Sequence, residues 1–214
     1  MLISVLTVLP QTSSAHRVAY AFNVFGTIAH EFSHAVGGVV TGGGVHLIQV
    51  HSPHSGVTHT WYYTRFSAIV TTAAGYALPP LAGLGAASLL ARGHSPMVLA
   101  LTVATMLLIV VVTRDLITFS SVLAVGLLAG AALCWGSAWV QHVVAYTEAW
   151  LLLLSQLSGV WFLVLRRING HDGQELDDSE GLAAATYIPG VVWIATWTAL
   201  IGWSLWTAAP LLWP

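Results

Sequence analysis

Residues 18–41 read VAYAFNVFGTIAHEFSHAVGGVVT, an apolar run that carries three ionisable side chains, His30, Glu31 and His34. A helix crossing ~30 Å of hydrocarbon needs about 20 mostly apolar residues, and this run is long enough. Charged or titratable groups at such depth are costly unless they pair or face a cavity, so they mark function before they mark packing. The spacing narrows the chemistry. His30 and His34 are four residues apart, on one face of a helix, where both imidazoles can bind one metal ion. Glu31 lies about 100° further round, able to reach a water on that metal without ligating it. Zinc would acidify the water, and Glu31 would take its proton and deliver it to the leaving amine.

The rest of the chain suits lipid better than water. Of its 214 residues 57% are hydrophobic and 7% charged, against about a quarter charged in soluble domains. Mean hydropathy is +0.80. The net charge of −2 leaves no basic patch suited to nucleic acid. Ten Trp, several at the ends of apolar runs, fit the aromatic belt of a membrane interface. The single cysteine, Cys134, excludes an internal disulfide framework or a cysteine zinc knuckle. Met1 to Pro10 is apolar but lacks a basic leading region and a small-residue cleavage site, so it is expected to be a short interfacial or partly inserted segment.

Six spans are predicted: Val18–Thr41, Phe66–Ala91, Met97–Thr113, Leu116–Trp135, Trp139–Leu165 and Leu182–Trp206. Between the first two, Val45–His51 and Val57–Tyr63 flank the turn residues Ser52-Pro53-His54-Ser55-Gly56, which predicts a β-hairpin at or in the membrane surface. Arg166 to Gly181 holds five of the eight acidic residues and is the one markedly polar loop. Alternating spans place Arg65, Arg114, Arg166 and Arg167 on one side and Arg17 and Arg92 on the other. The positive-inside rule then puts hairpin and acidic loop in the cytoplasm. The expected fold is an all-α polytopic membrane protein with one small hairpin, residues 1–214 forming a single transmembrane metalloprotease-like domain, because backbone groups in lipid must be satisfied within helices.

Around the motif, Gly26, Gly37 and Gly38 allow close helix packing. Asn23 and Thr27 share the face of His30 and could hydrogen-bond a ligand or simply join helices. His46, His51, His54 and His59 could form a second metal site or a pH-sensitive patch, although ordinary surface histidines on an interfacial hairpin explain them as well.

With these residues in place, the chain resembles the site-2 protease family of intramembrane zinc metalloproteases, and most closely its short bacterial branch without an inserted PDZ domain. The similar stretches are His30 to Gly44, Ser55-Gly56-Val57-Thr58, Ala74-Gly75-Tyr76-Ala77-Leu78-Pro79, and Asp178-Ser179-Glu180-Gly181-Leu182-Ala183 with Thr186 and Pro189. The resemblance implies Zn2+ as cofactor and a third, acidic ligand far along the chain. Asp178 is the first candidate and Asp172, in Asp172-Gly173, the second; Asp115 and Glu148 lie near other helix ends. It also implies that the hairpin receives extended substrate by strand addition. The function expected is hydrolysis of peptide bonds in a membrane-embedded or membrane-adjacent protein, at the cell membrane, with the bilayer and a larger membrane protein complex as further partners. A noncatalytic subunit that keeps a protease-like fold and a metal transporter using the histidines are the competing readings.

Overall fold

The computed structural model describes residues 14–52, 55–169 and 177–213. Short polar residues start most of its helices by accepting a hydrogen bond from an otherwise orphaned N–H. Thr64 does so for α2 (Arg65–Leu90), Asp115 for α4 (Leu116–Trp135), Ser137 for α5 (Ala138–Ile168) and Asp177 for α6 (Asp178–Thr186). The others are α1 (Ser14–Val40), α3 (Ser95–Val112), which begins with a proline in its first turn, and α7 (Gly190–Leu212). The expected run Met1–Pro10 lies outside the described residues.

Helix α2 is the hub, packing against α1, α3, α5, α6 and α7. One apolar cluster joins α2, α3, α4, α5 and α7 at one end of the bundle, where Leu99, Ala129, Ala145, Leu153 and Ala208 are fully buried. Exposed Trp135, Trp139 and Trp213 lie at the helix ends there, as expected of rings at a membrane–water interface. A second cluster joins α1, α3, α4 and the hairpin. The third packs α5, α6 and α7 on Tyr76 of α2. Apolar side chains also face outward: Leu101, Leu107, Leu108, Leu127 and Leu128 are all more than half exposed, which suits lipid and not water.

Five helices, α2, α3, α4, α5 and α7, are long and apolar enough to cross a membrane. Six spans are expected from sequence, and the difference is α1. At 27 residues it is long enough, but Asn23, His30, Glu31 and His34 lower its hydropathy. The last span is also corrected. Leu182–Trp206 reads as one helix, yet α6 stops at Thr186 and α7 begins only at Gly190. Tyr187 adopts a left-handed conformation, φ 62°, at the end of α6, and Pro189, which has no N–H, precedes α7.

The hairpin forms where expected, as antiparallel β1 (Gly44–Ser52) and β2 (Ser55–Trp61), with Gly44 opposite Trp61 and Val50 opposite Gly56. Gly42, at φ 83°, turns the chain from α1 into β1; the left-handed region favours glycine. The hairpin is fixed to the bundle, not merely laid on it. Ile48 and Val50 are buried, Ile48 bridges to Thr113, and the Val50 N–H donates to Thr118 Oγ1 at 2.7 Å.

Glycine decides how closely α1 approaches its neighbours. A Cβ on Gly26 would lie 2.9 Å from Ser155 Cβ of α5, and one on Gly37 would lie 3.0 Å from Thr71 Cα and Ala74 Cβ of α2. Gly38 would make only ordinary contacts, the nearest at 3.5 Å. We therefore expect Gly26→Leu to destabilise the bundle by about 1–3 kcal/mol, as overpacking does. Gly85→Ala, which meets nothing within 4 Å, should be neutral. Thermal unfolding of both variants in detergent checks this.

Candidate metal centre

Helix α1 presents His30 and His34 side by side, with their Nε2 atoms 3.0 Å apart. Asp178, the first residue of α6, brings Oδ2 to 3.0 Å from His30 Nε2 and 3.4 Å from His34 Nε2. Among the described residues this is the group of three whose donor atoms converge as metal ligands would. Asp172 lies outside the described residues. The other two acidic candidates stand apart from the cluster: Asp115 caps α4 and accepts from Thr118, while Glu148 accepts from Thr102 Oγ1 at 2.8 Å. Neither hairpin histidine with a described side chain, His46 or His59, joins such a cluster; the His51 side chain and His54 lie outside the described residues.

The far side of each imidazole fixes its tautomer. His34 Nδ1 lies 2.8 Å from the carbonyl oxygen of Thr71, which can only accept, so Nδ1 carries the proton. His30 Nδ1 lies 3.3 Å from Gln156 Oε1. The Gln156 amide nitrogen donates to Gly26 O at 3.2 Å and Ser155 Oγ at 3.0 Å, which turns its oxygen towards His30. With both Nδ1 atoms protonated, it is the Nε2 atoms that face Asp178. Burial works against charge on Asp178, but attraction to protonated His34 and His30 outweighs it and holds its carboxyl well below the usual carboxylate range. Metal binding requires both Nε2 atoms to be unprotonated, and in that form the three facing atoms are all acceptors. A cation in place of those protons meets all three, and two imidazole nitrogens with one carboxylate form a donor set that zinc takes in catalytic sites. The residues fit the ion. Gly75 makes room for the pair: a Cβ there would lie 2.5–2.6 Å from the imidazole carbons of His34 and His30.

Asp178 is delivered by a short helix that is tied down at both ends. Asp177 and Glu180 form a capping box at its start. Arg167, at the end of α5, donates to Glu180 Oε1 at 2.7 Å, Ser179 Oγ at 2.8 Å and Asp177 Oδ1 at 3.3 Å. Leu182 is fully buried beneath it. At the other end Arg65 donates to the Ala185 carbonyl, and its guanidinium lies 4.8 Å over the Tyr187 ring.

Glu31 faces away from the ligands towards the hairpin, yet opens on the same cavity of about 480 Å³. Thr58 Oγ1 lies 2.7 Å from Glu31 Oε2 and 2.9 Å from the Glu31 carbonyl. A Cβ on Gly56 would come within 2.7 Å of Oε1, so β2 covers the carboxylate closely because residue 56 has no side chain.

Sequence reasoning assigns His30, Glu31, His34 and Asp178 to the site, and the structure brings His30, His34 and Asp178 together beside Glu31. It overlooks Gln156, Thr58 and the Thr71 carbonyl. Gln156 was detectable as an amide in the middle of the apolar run of α5, a polar group inside a span; Thr58 and Thr71 hold no such signal. Asn23 and Thr27 line the cavity, and Ser158 Oγ donates to Asn23 Oδ1 at 3.4 Å.

The sequence profile described as Peptidase M50B-like matches residues 1–208. No curated protein and no solved structure matches the chain. The chain belongs to the M50B-like peptidases, the site-2 protease family. With five long apolar helices among the described residues it is a multi-pass membrane protein of metalloprotease type.

Removing the outer partner of His30 should loosen any bound ion. We expect Gln156→Leu to weaken zinc binding about 10–100-fold, the usual effect of losing a group that orients a ligand. Competition with a chelating zinc dye, on protein whose thermal stability is unchanged, measures it.

Proposed function

We propose that this member of the M50B-like peptidases is a zinc-dependent endopeptidase of the cell membrane, hydrolysing peptide bonds of a membrane-embedded or membrane-adjacent protein. The observation that carries this reading is the convergence of His30, His34 and Asp178 in a cavity that also holds the Glu31 carboxylate. His30 Nε2, His34 Nε2 and Asp178 Oδ2 would hold the ion. When bound, zinc supplies Lewis-acid polarisation of the scissile carbonyl.

The remaining work falls to the chain itself. Glu31 takes a proton from the attacking water at Oε1, while Thr58 holds Oε2. The same carboxyl then gives that proton to the amine nitrogen as the carbon–nitrogen bond breaks. Buried Glu31, only 5% exposed, is shielded from bulk water, which strengthens its electrostatic interactions. Gln156 and the Thr71 carbonyl keep both imidazoles aimed at the ion.

The hairpin suits the substrate. A transmembrane helix closes its own peptide bonds, so it must unwind before cleavage. Residues 55–58 and Thr60 of β2 line the cavity, and the edge of β2 away from β1 has no strand partner among the described residues. Strand addition there would hold an extended segment by main-chain hydrogen bonds beside Glu31.

Glu31→Gln keeps the shape of the side chain and removes its basicity. It should retain zinc yet cleave fluorescein-labelled casein about 10²–10⁴-fold more slowly than the unaltered protein in detergent micelles, the usual contribution of a general base. Cleavage at the unaltered rate by zinc-loaded Glu31→Gln would sink the proposal.

A further inference from the structure

Tyr76 stands in the catalytic cavity with nothing yet to do. It is 8% exposed, and its ring meets His30 edge to face at 4.5 Å and leans on Trp197 at 4.7 Å. Its phenol belongs to the lining of the same cavity as His30, Glu31 and Asp178. Among the described residues its hydroxyl makes no hydrogen bond, although buried tyrosine hydroxyls ordinarily find a partner. Space has been kept for it. A Cβ on Gly159 of α5 would lie 2.9 Å from Tyr76 Cε1 and 3.2 Å from its oxygen.

Several neighbouring polar groups are engaged, whereas the buried Thr71 Oγ1 has no partner among the described residues. Gln156 donates to Gly26 and Ser155, the two imidazole Nδ1 atoms face Gln156 and Thr71, and the Thr58 hydroxyl serves Glu31. Tyr76 thus offers an uncommitted O–H in the cavity that holds the ligands, where a preorganised donor can meet developing charge.

We propose that Tyr76 is a further catalytic residue, whose hydroxyl donates a hydrogen bond to the carbonyl oxygen of the scissile peptide bond. This rests on the protease reading above. As the water oxygen bonds to the carbonyl carbon, its proton passes to Glu31 and the carbonyl π electrons move onto the oxygen. The Tyr76 O–H meets that growing charge and keeps its own proton. When the carbon–nitrogen bond breaks, its electrons go to nitrogen, which takes the proton from Glu31, and the carbonyl re-forms as part of the new carboxyl group. Because the hydrogen bond strengthens as charge develops, it favours the transition state over bound substrate.

Tyr76→Phe removes the oxygen and leaves the ring contacts with His30 and Trp197. The measurements are zinc content, thermal stability, kcat and KM on fluorescein-labelled casein in detergent, and affinity for a phosphinic peptide, which mimics the tetrahedral oxyanion. We expect zinc, stability and KM to be unchanged, kcat to fall about 10²-fold, and phosphinic affinity to weaken by a similar factor. Unaltered kcat and phosphinic affinity in Tyr76→Phe would overturn the assignment, leaving Tyr76 as packing and the protease reading intact. If the zinc-loaded parent protein and Glu31→Gln are equally inert towards casein, and the parent does not bind the phosphinic peptide, the protease reading fails and this assignment fails with it.

Discussion

Two imidazole nitrogens and a carboxylate oxygen face one another across 3.0–3.4 Å between packed helices. Atoms so close need a proton or a metal ion between them, and in surroundings of low dielectric that requirement is strong. Much of the chain serves to keep them there. Gln156 and the Thr71 carbonyl fix the imidazoles from behind, Gly75 lets α2 approach both rings, and Arg167 anchors the short helix that supplies Asp178. Gln156 and Arg167 come from α5, Thr71 and Gly75 from α2 and Asp178 from α6, so the site exists only in the assembled bundle.

The bundle in turn satisfies two solvents. Outward-facing leucines on α3 and α4 and tryptophans at one end match lipid and its interface. Polar side chains gather on the inner faces of α1, α2 and α5 around one cavity. The hairpin closes that cavity without breaking the bundle, because Val50 and Ile48 tie β1 to α4 and to the α3–α4 connection while β2 remains an open edge. Glu31 thereby stands between a sheet edge and the ligands, where the proposed mechanism needs its base.

Most of the fold could be read from sequence because apolar runs of 20 or so residues and a turn between β-prone segments are strong local signals. Leu116–Trp135 was placed to the residue. The reading failed where local hydropathy misleads. Leu182–Trp206 looks continuous, yet Tyr187 and Pro189 divide it, and the break is what gives α6 an independent position and Asp178 its place. In the site, the spacing of His30 and His34 fixes a shared face by helix geometry alone. Asp178 came only through the family resemblance, since no local rule connects residues so distant. Gln156, Thr58 and Tyr76 reach the site through tertiary contacts to α1, which no periodicity encodes.

The central claim is that His30, His34 and Asp178 hold one zinc ion, and X-ray absorption at the zinc edge of the purified protein tests it most directly. The account predicts a zinc shell of two imidazole nitrogens and one or two oxygens at about 2.0–2.2 Å, with an oxygen of protein origin lost in Asp178→Ala. A shell without imidazole scattering, or one unchanged by Asp178→Ala, would contradict it.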